Sequence, residues 1–361
     1  MTRAPFPSPP EPTPRLSTPP LSAPPVPTHS LSRHTRRQQG AAVVTALLMV
    51  TLAVVVVSGM LWRQQVQIRS IENQRLVAQA AWIERAAVDW SRLILRDDRR
   101  RSQVDYLGEP WSVPVAETRL SDFLGAGVST AEGGETSFVS GRILDAQARF
   151  NLTNLYNIEQ ANGAGRMVSI NGVSLQAFRR LLQTLGMNPG LAEPTVRYFV
   201  RAARGVPSDG QPAPRPPDSV EDLLAIPGYT PAMVAALESF VTVLPQRTAV
   251  NANTADAEVL SAVIDQLPLD RARELVRQRD RAYFNNISDV TTQLHGIAPQ
   301  ATIDNDTIDV LTHYFLIYGL VRHERARRLK VSLVYRSDGF GGGNNTRIIW
   351  TRDADAMPEQ R

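Results

Sequence analysis

Residues 41–62 are twenty-two consecutive positions without a charged side chain, with Arg36 and Arg37 before them and Arg63 closing the run. At a rise of about 1.5 Å per residue, a helix over this run is about 33 Å long, matching the roughly 30 Å hydrocarbon core of a bilayer. The run predicts a membrane segment, and everything else in the chain has to be arranged around it. A secretory signal would need a shorter apolar core and an A-x-A-like site beyond it. Past Val57 the chain reads Ser58-Gly59-Met60-Leu61-Trp62-Arg63, which favours keeping the helix and losing what precedes it.

The junction Arg36-Arg37-Gln38-Gln39-Gly40/Ala41, basic before and apolar after, resembles the type IV prepilin and type II secretion pseudopilin signal. That resemblance makes Gly40 the last leader residue and Ala41 the first mature residue. A prepilin peptidase would cut between them and Ala41 would then be N-methylated. The fifth mature position of pilins is usually Glu, whose charge pairs with the amino terminus of the next subunit; here it is Thr45. A carboxylate in hydrocarbon persists only with a partner, so a subunit without one has no such partner to answer. The missing Glu is similar to the minor pseudopilin K family (general secretion pathway protein K), whose members are thought to sit at the filament tip.

The net charge of +4 invites a nucleic-acid reading until it is divided at Gly40. Five of the 39 basic residues and one of the 35 acidic residues precede Ala41, leaving 34 of each in the remainder. The basicity thus belongs to the segment before the helix, and the positive-inside rule places that segment in the cytoplasm and the bulk of the chain outside it, which in a bacterium means the periplasm. The absence of cysteine excludes disulfides, thiol catalysis and Cys zinc sites.

Residues 1–30 hold eleven prolines with Ser and Thr, too little apolar surface to offset chain entropy, and are expected to be extended or disordered. Together, residues 1–40 read as a cleaved leader. Leaders of the resembling family are shorter, which raises the question of a start codon assigned too far upstream. After the transmembrane part, 41–62, the helix pattern continues over 63–96. Leu76, Ala80, Ile83, Ala87, Trp90 and Ile94 recur at spacings of four and three, an apolar stripe on a polar helix. A kink near Gly59 is the alternative to one continuous helix.

Residues 97–152 and 312–361 are expected to form one α+β head. Residues 137–144 and 148–152 read as a strand pair with Asp145-Ala146-Gln147 as its turn. Residues 314–321, 329–335 and 346–351 read as further strands of the same antiparallel sheet, with Gly-Asn chemistry at 339–345. Leu107-Gly108-Glu109-Pro110-Trp111 and the phrase from Ile143 through Asp145 to Leu152 resemble the K pseudopilins. Between the two parts, 153–311 shows helical signals. Ser174 is a candidate cap before Leu175, Phe178, Leu181 and Leu182; Ser219 with Asp222, Thr230-Pro231, Asn253 with Asp256, and Asp270 open further helices. The expected fold is α+β, a pilin-like long N-terminal helix packed on an antiparallel sheet, with a large all-α domain inserted in the head.

Ile226-Pro227-Gly228-Tyr229 and Val250-Asn251-Ala252-Asn253-Thr254-Ala255 resemble pieces of helix-hairpin-helix modules, whose amides hold DNA phosphates. Asp218, Glu221, Asp222, Asp256 and Glu258 flank them, which suits a packing hairpin for protein contact and not nucleic acid. Asp304, Asp306 and Asp309, with Asn305 and Thr307, offer oxygen ligands for calcium but lack the Gly and terminal Glu of an EF-hand loop. The five His residues show no H-E-x-x-H spacing, and Gly341-Gly342-Gly343 lacks the Lys and helix of a phosphate loop. Catalysis has no positive support.

The resemblance implies a single-pass protein of the bacterial inner membrane, with a cytoplasmic N-terminus and a periplasmic C-terminal domain. It implies a non-enzymatic role at the pseudopilus tip, helping to start assembly with minor pseudopilins I and J and other pseudopilins for protein export. The alternative is a membrane-anchored helix-hairpin-helix protein for DNA binding or uptake. A signal-anchored periplasmic enzyme with a site assembled from distant residues is the third reading.

Overall fold

The structure, a computed structural model, describes residues 39–124, 136–161, 165–207, 212–304, 306–337 and 345–358. Most of the expected leader, 1–38, and the glycine run at 341–343 therefore lie outside the described residues. Helix α1, Gln39–Arg101, runs for 63 residues without a break at Gly59. Contacts divide the chain into Met1–Val66 and Gln67–Arg361. In the first unit every described side chain from 41 onward is exposed. Its two threonines solve their own polarity: Thr45 Oγ1 donates to the carbonyls of Ala41 and Ala42 at 3.0 Å, and Thr51 Oγ1 to that of Leu48 at 2.9 Å. Such back-bonding lets a hydroxyl lie in an apolar surround with no outside partner.

In the second unit, α1 is followed by β1 (Val115–Arg119), α2 (Leu120–Leu124), β2 (Ser137–Asp145), β3 (Phe150–Asn151), β4 (Tyr156–Ala161), β5 (Gly165–Ile170), α3 (Gly172–Thr184), α4 (Ala192–Arg204), α5 (Pro231–Leu237), β6 (Val241–Thr242) and β7 (Val250–Asn251). Then come α6 (Ala257–Val263), α7 (Leu269–Arg281), α8 (Ile287–Ile297), β8 (Ile308–Asp309), β9 (Tyr314–His323), β10 (Ala326–Arg336) and β11 (Thr346–Asp353). One antiparallel sheet has the order β1-β2-β9-β10-β11. Its neighbours β2 and β9 are separated in sequence by the helices α3 to α8.

The first half of strand β9 is apolar on both faces because both are covered there. Phe315, Ile317 and Val321 meet α1 through Val88, Leu95, Leu76 and Ala80, and Trp111 packs edge-on against Phe315 with centroids 5.3 Å apart. Tyr314 and Leu316 face the other way, onto Leu333, Ala146 and Leu244. The helical region has its own core, with Phe150, Phe178, Leu181, Leu182, Val196 and Leu260 at its centre.

Several local expectations change. Residues 137–144 and 148–152 do not pair with each other. β2 pairs with β1 and β9, whereas β3 pairs in parallel with β6, because the Asp145 carboxylate turns the chain by accepting the amide of Gln147 at 2.7 Å. The inserted stretch is not helical throughout: β4 and β5 form an antiparallel hairpin, whose short apolar alternation the stronger helical pattern obscures. Asn171, not Ser174, caps α3, its Oδ1 accepting the Ser174 amide at 3.2 Å. Within α1 the fully buried positions include Val88 and Leu95, while Trp90 of the expected stripe stays 39% exposed.

Candidate functional site

Two features stand out: the apolar first unit, and a buried polar junction in the second unit where α1, the sheet and the helical region meet. At the junction, Arg336 at the end of β10 is 1% exposed. Its Nη2 donates to both carboxylate oxygens of Asp105 at 2.6 Å and to the Thr312 carbonyl at 2.9 Å, and its Nη1 donates to Asp98 Oδ2 at 2.8 Å. The guanidinium also lies 4.6 Å from the centroid of the Phe315 ring. Charge-assisted bonds of this kind are the strong ones in a protein interior.

Asp145, at the end of β2, is the second centre. Its Oδ2 accepts Thr254 Oγ1 at 2.6 Å, Thr312 Oγ1 at 2.6 Å and Asn251 Nδ2 at 3.0 Å. Asn251 Nδ2 also lies 3.0 Å from the Asp105 carbonyl. The phrase around Asp145, which resembles the K pseudopilins, and the phrase around Asn251 thus interlock in space. Next to them, Gln147 Nε2 reaches the Ala249 carbonyl at 3.1 Å and its Oε1 accepts the His313 amide at 2.7 Å.

Four buried carboxylates, Asp98, Asp105, Glu109 and Asp145, share this region with Arg336. Burial, reinforced by Glu109 and Asp105, raises the Asp98 carboxyl to about 7 against the pull of Arg336. Burial likewise raises Asp145 to about 6, opposed by the Thr254 and Thr312 hydroxyls, and raises Glu109, opposed by its bond from Trp111 Nε1. Protons therefore help to balance the excess negative charge. Asp98, Asp105 and Glu109 offer oxygens within 4.8 Å of one another, yet Arg336 already supplies positive charge to two of them. The arrangement binds three parts of the fold together.

The sequence pointed to Asn251 and to the Asp145 phrase, but not to Arg336, Asp98 or Asp105. An Arg at a strand end reads as solvent-facing, and only the alternation of β10 places it on the α1 side. Asp304 and Asp306 are exposed and Asp309 is half-buried. Among the described residues these three do not converge on one another. Their local bonds are turn bonds: Thr307 Oγ1 donates to the Asp304 carbonyl, and Asp309 Oδ1 accepts the Val310 amide.

The hairpin Ile226-Pro227-Gly228-Tyr229 is packed inward, with Ile226 2% and Tyr229 8% exposed. Gly228 sits at φ 105° against Leu191, and Thr230 Oγ1 caps α5 by accepting the Met233 amide at 3.3 Å. Asn251 is likewise buried, its side chain bonded to Asp145 and the Asp105 carbonyl. Ser137 Oγ lies 2.7 Å from His323 Nδ1, but both residues are buried and the other ring nitrogen meets the Gln79 amide oxygen at 3.1 Å, not a carboxylate. The pair joins the sheet to α1.

Family models described as "Type II secretion system (T2SS), protein K" match residues 148–246 and 250–310. The chain is 30% identical to the type II secretion system protein K of Pseudomonas aeruginosa, over 83% of this chain and 90% of that protein. It is 25% identical to the protein K of Aeromonas hydrophila, over 78% and 87% respectively. Among solved structures, a chain of the GspK-GspI-GspJ complex from the enterotoxigenic Escherichia coli type 2 secretion system has the same fold. Its TM-score is 0.60 at 18% identity, covering 79% of this chain and 99% of that one. On this identity and coverage, together with the shared fold, the chain belongs to the type II secretion system protein K family of minor pseudopilins.

Proposed function

We propose that this minor pseudopilin caps the tip of the pseudopilus and helps to initiate its assembly for protein export across the outer membrane. The observation that carries the reading is the charge-free stretch 41–62 inside a continuous helix, with every side chain exposed and followed by a charge-balanced α+β unit. Such a helix serves as a membrane anchor before assembly. In a filament it is a packing surface, where van der Waals contacts replace lipid ones. The basic residues before it orient the N-terminus to the cytoplasm and residues 67–361 to the periplasm, with the inner membrane between.

A prepilin peptidase would cut between Gly40 and Ala41. Thr45, whose hydroxyl is satisfied within its own helix, needs no amino terminus of a further subunit, in keeping with a terminal position. Residues 153–311, read as an inserted domain, widen the head where another subunit would stack, and so also favour the tip. By likeness to the Escherichia coli complex, the partners are minor pseudopilins I and J. No bound ion and no catalytic step form part of the proposal.

Intact mass and N-terminal analysis of the membrane-expressed chain, with and without a prepilin peptidase, test it. The expected product is peptidase-dependent and begins at N-methyl-Ala41. An uncleaved chain, or a cut beyond Trp62, overturns the reading.

A further inference from the structure

The sheet has a second face, away from α1. Val139 and Val321 pack on the α1 side, so their sequence neighbours Phe138 and Arg322 point to the opposite side. Arg119, Phe138, Arg322 and Arg327 lie directly opposite one another across β1, β2, β9 and β10. They form one cross-strand row of three arginines and one aromatic ring. Arg119 and Arg327 are exposed, and the Arg322 side chain is 50% exposed.

This row is costly for the sheet to keep. Like charges directly opposite in an antiparallel pair are destabilising, and Arg322 faces Arg327 in that way. Glu117 pairs with Arg322, while Arg327 has no ion pair among the described residues. The Arg322 guanidinium lies 4.7 Å from the Phe138 centroid, which holds its plane over the face. Beside the row is a cleft of about 230 Å³ lined by Glu117, Phe138, Ser140, Leu320, Arg322 and Arg327. Toward the helical region the arginines of the same face are already engaged: Arg352 pairs with Asp218 at 2.8 Å, and Arg142 donates to the Pro358 carbonyl at 2.8 Å.

We propose that the Arg119–Arg322–Arg327 row and its cleft are a docking surface for a short acidic segment of a partner protein. Strands about 4.8 Å apart make the row about 14 Å wide, enough for two or three carboxylates and too short for a duplex track. Half-buried Phe138 and Leu320 between the cations suit apolar side chains alternating with the acids, which a phosphate backbone lacks. Carboxylates placed there would make fork-like bonds to guanidinium groups and relieve the repulsion between Arg322 and Arg327.

The probe is a short fluorescent peptide of alternating Glu and Leu, added to the full chain in nonionic detergent and followed by anisotropy at low and physiological salt. Competing arms are the same peptide with Gln for Glu, a short DNA duplex, and phosphatidylglycerol vesicles. Arg327→Gln is expected to weaken peptide binding about tenfold, the scale of one lost charge-assisted contact, while the thermal midpoint does not fall. Arg119→Gln should weaken it in the same way, and Glu117→Gln should tighten it by releasing Arg322. The proposal is overturned by no peptide binding at low salt, by equal binding of the Gln peptide, or by affinity indifferent to Arg327→Gln. Duplex or vesicles displacing the peptide through the same arginines more strongly than free peptide does would overturn it as well.

Discussion

Asp98 is where burial and charge compete most openly. In the unfolded chain its carboxyl titrates near the ordinary 3.8, whereas in the fold it is raised to about 7 by burial and by Glu109 and Asp105. As pH rises between these values the unfolded state releases its proton first, so the folded state binds more protons and stability falls across that window. Asp145 acts in the same direction up to about 6. Asp98→Asn removes one titration while keeping a neutral group beside Arg336. The thermal midpoint of the variant, measured against that of the parent chain, should improve from about pH 4 to about pH 7 and level off above that. A difference constant over that range would show that Asp98 does not titrate there. Asp145 tolerates no such exchange, because its Oδ1 meets the Gln147 amide and its Oδ2 meets three donors. An amide in either orientation would therefore set donor against donor.

Between elements, the contact of α1 with the sheet turns on two glycines that pair directly, Gly141 of β2 and Gly319 of β9. They line a cavity of about 220 Å³ together with Val88, Trp90, Trp111 and Ile317, yet they are not equivalent. A Cβ on Gly141 would lie 2.8 Å from the Tyr318 carbonyl oxygen, whereas one on Gly319 meets nothing within 4 Å. Gly141→Ala must shift a strand and is expected to cost about 1–3 kcal/mol. Gly319→Ala enters open space and should stabilise by about 0.5–1 kcal/mol through the lost flexibility of the unfolded chain. Denaturant midpoints of the two variants check this, and equal effects would contradict the asymmetry. The strands themselves were legible: the expected segments near 314, 329 and 346 correspond to β9, β10 and β11. Their order was not, because alternation marks a strand without naming its neighbour. The region after Asp145 was misread as a hairpin because a carboxylate capping Gln147 resembles turn chemistry whichever way the chain then goes.

For the whole molecule, the apolar stretch and the charge balance that follows it were readable from residue types alone, since both are properties of composition along the line. The buried junction was not, because Arg336 meets Asp98 and Asp105 only after α1, the sheet and the helical region have closed around them. That difference separates what the first unit and the second each require. Residues 41–66 bury no side chain, so they contribute nothing to the hydrophobic cores of Gln67–Arg361. Among the described residues the second unit holds the buried clusters, the five-stranded sheet and the Arg336 network. A chain starting at Gln67 should therefore remain in the aqueous phase of a detergent phase separation, while the full chain partitions into detergent. Its thermal midpoint in the same detergent should match that of the full chain, because unfolding of either is set by the same buried contacts. A trimmed chain that melts well below the full one would mean that residues before Gln67 hold the second unit together. A trimmed chain that still enters the detergent phase would place the membrane affinity outside 41–62.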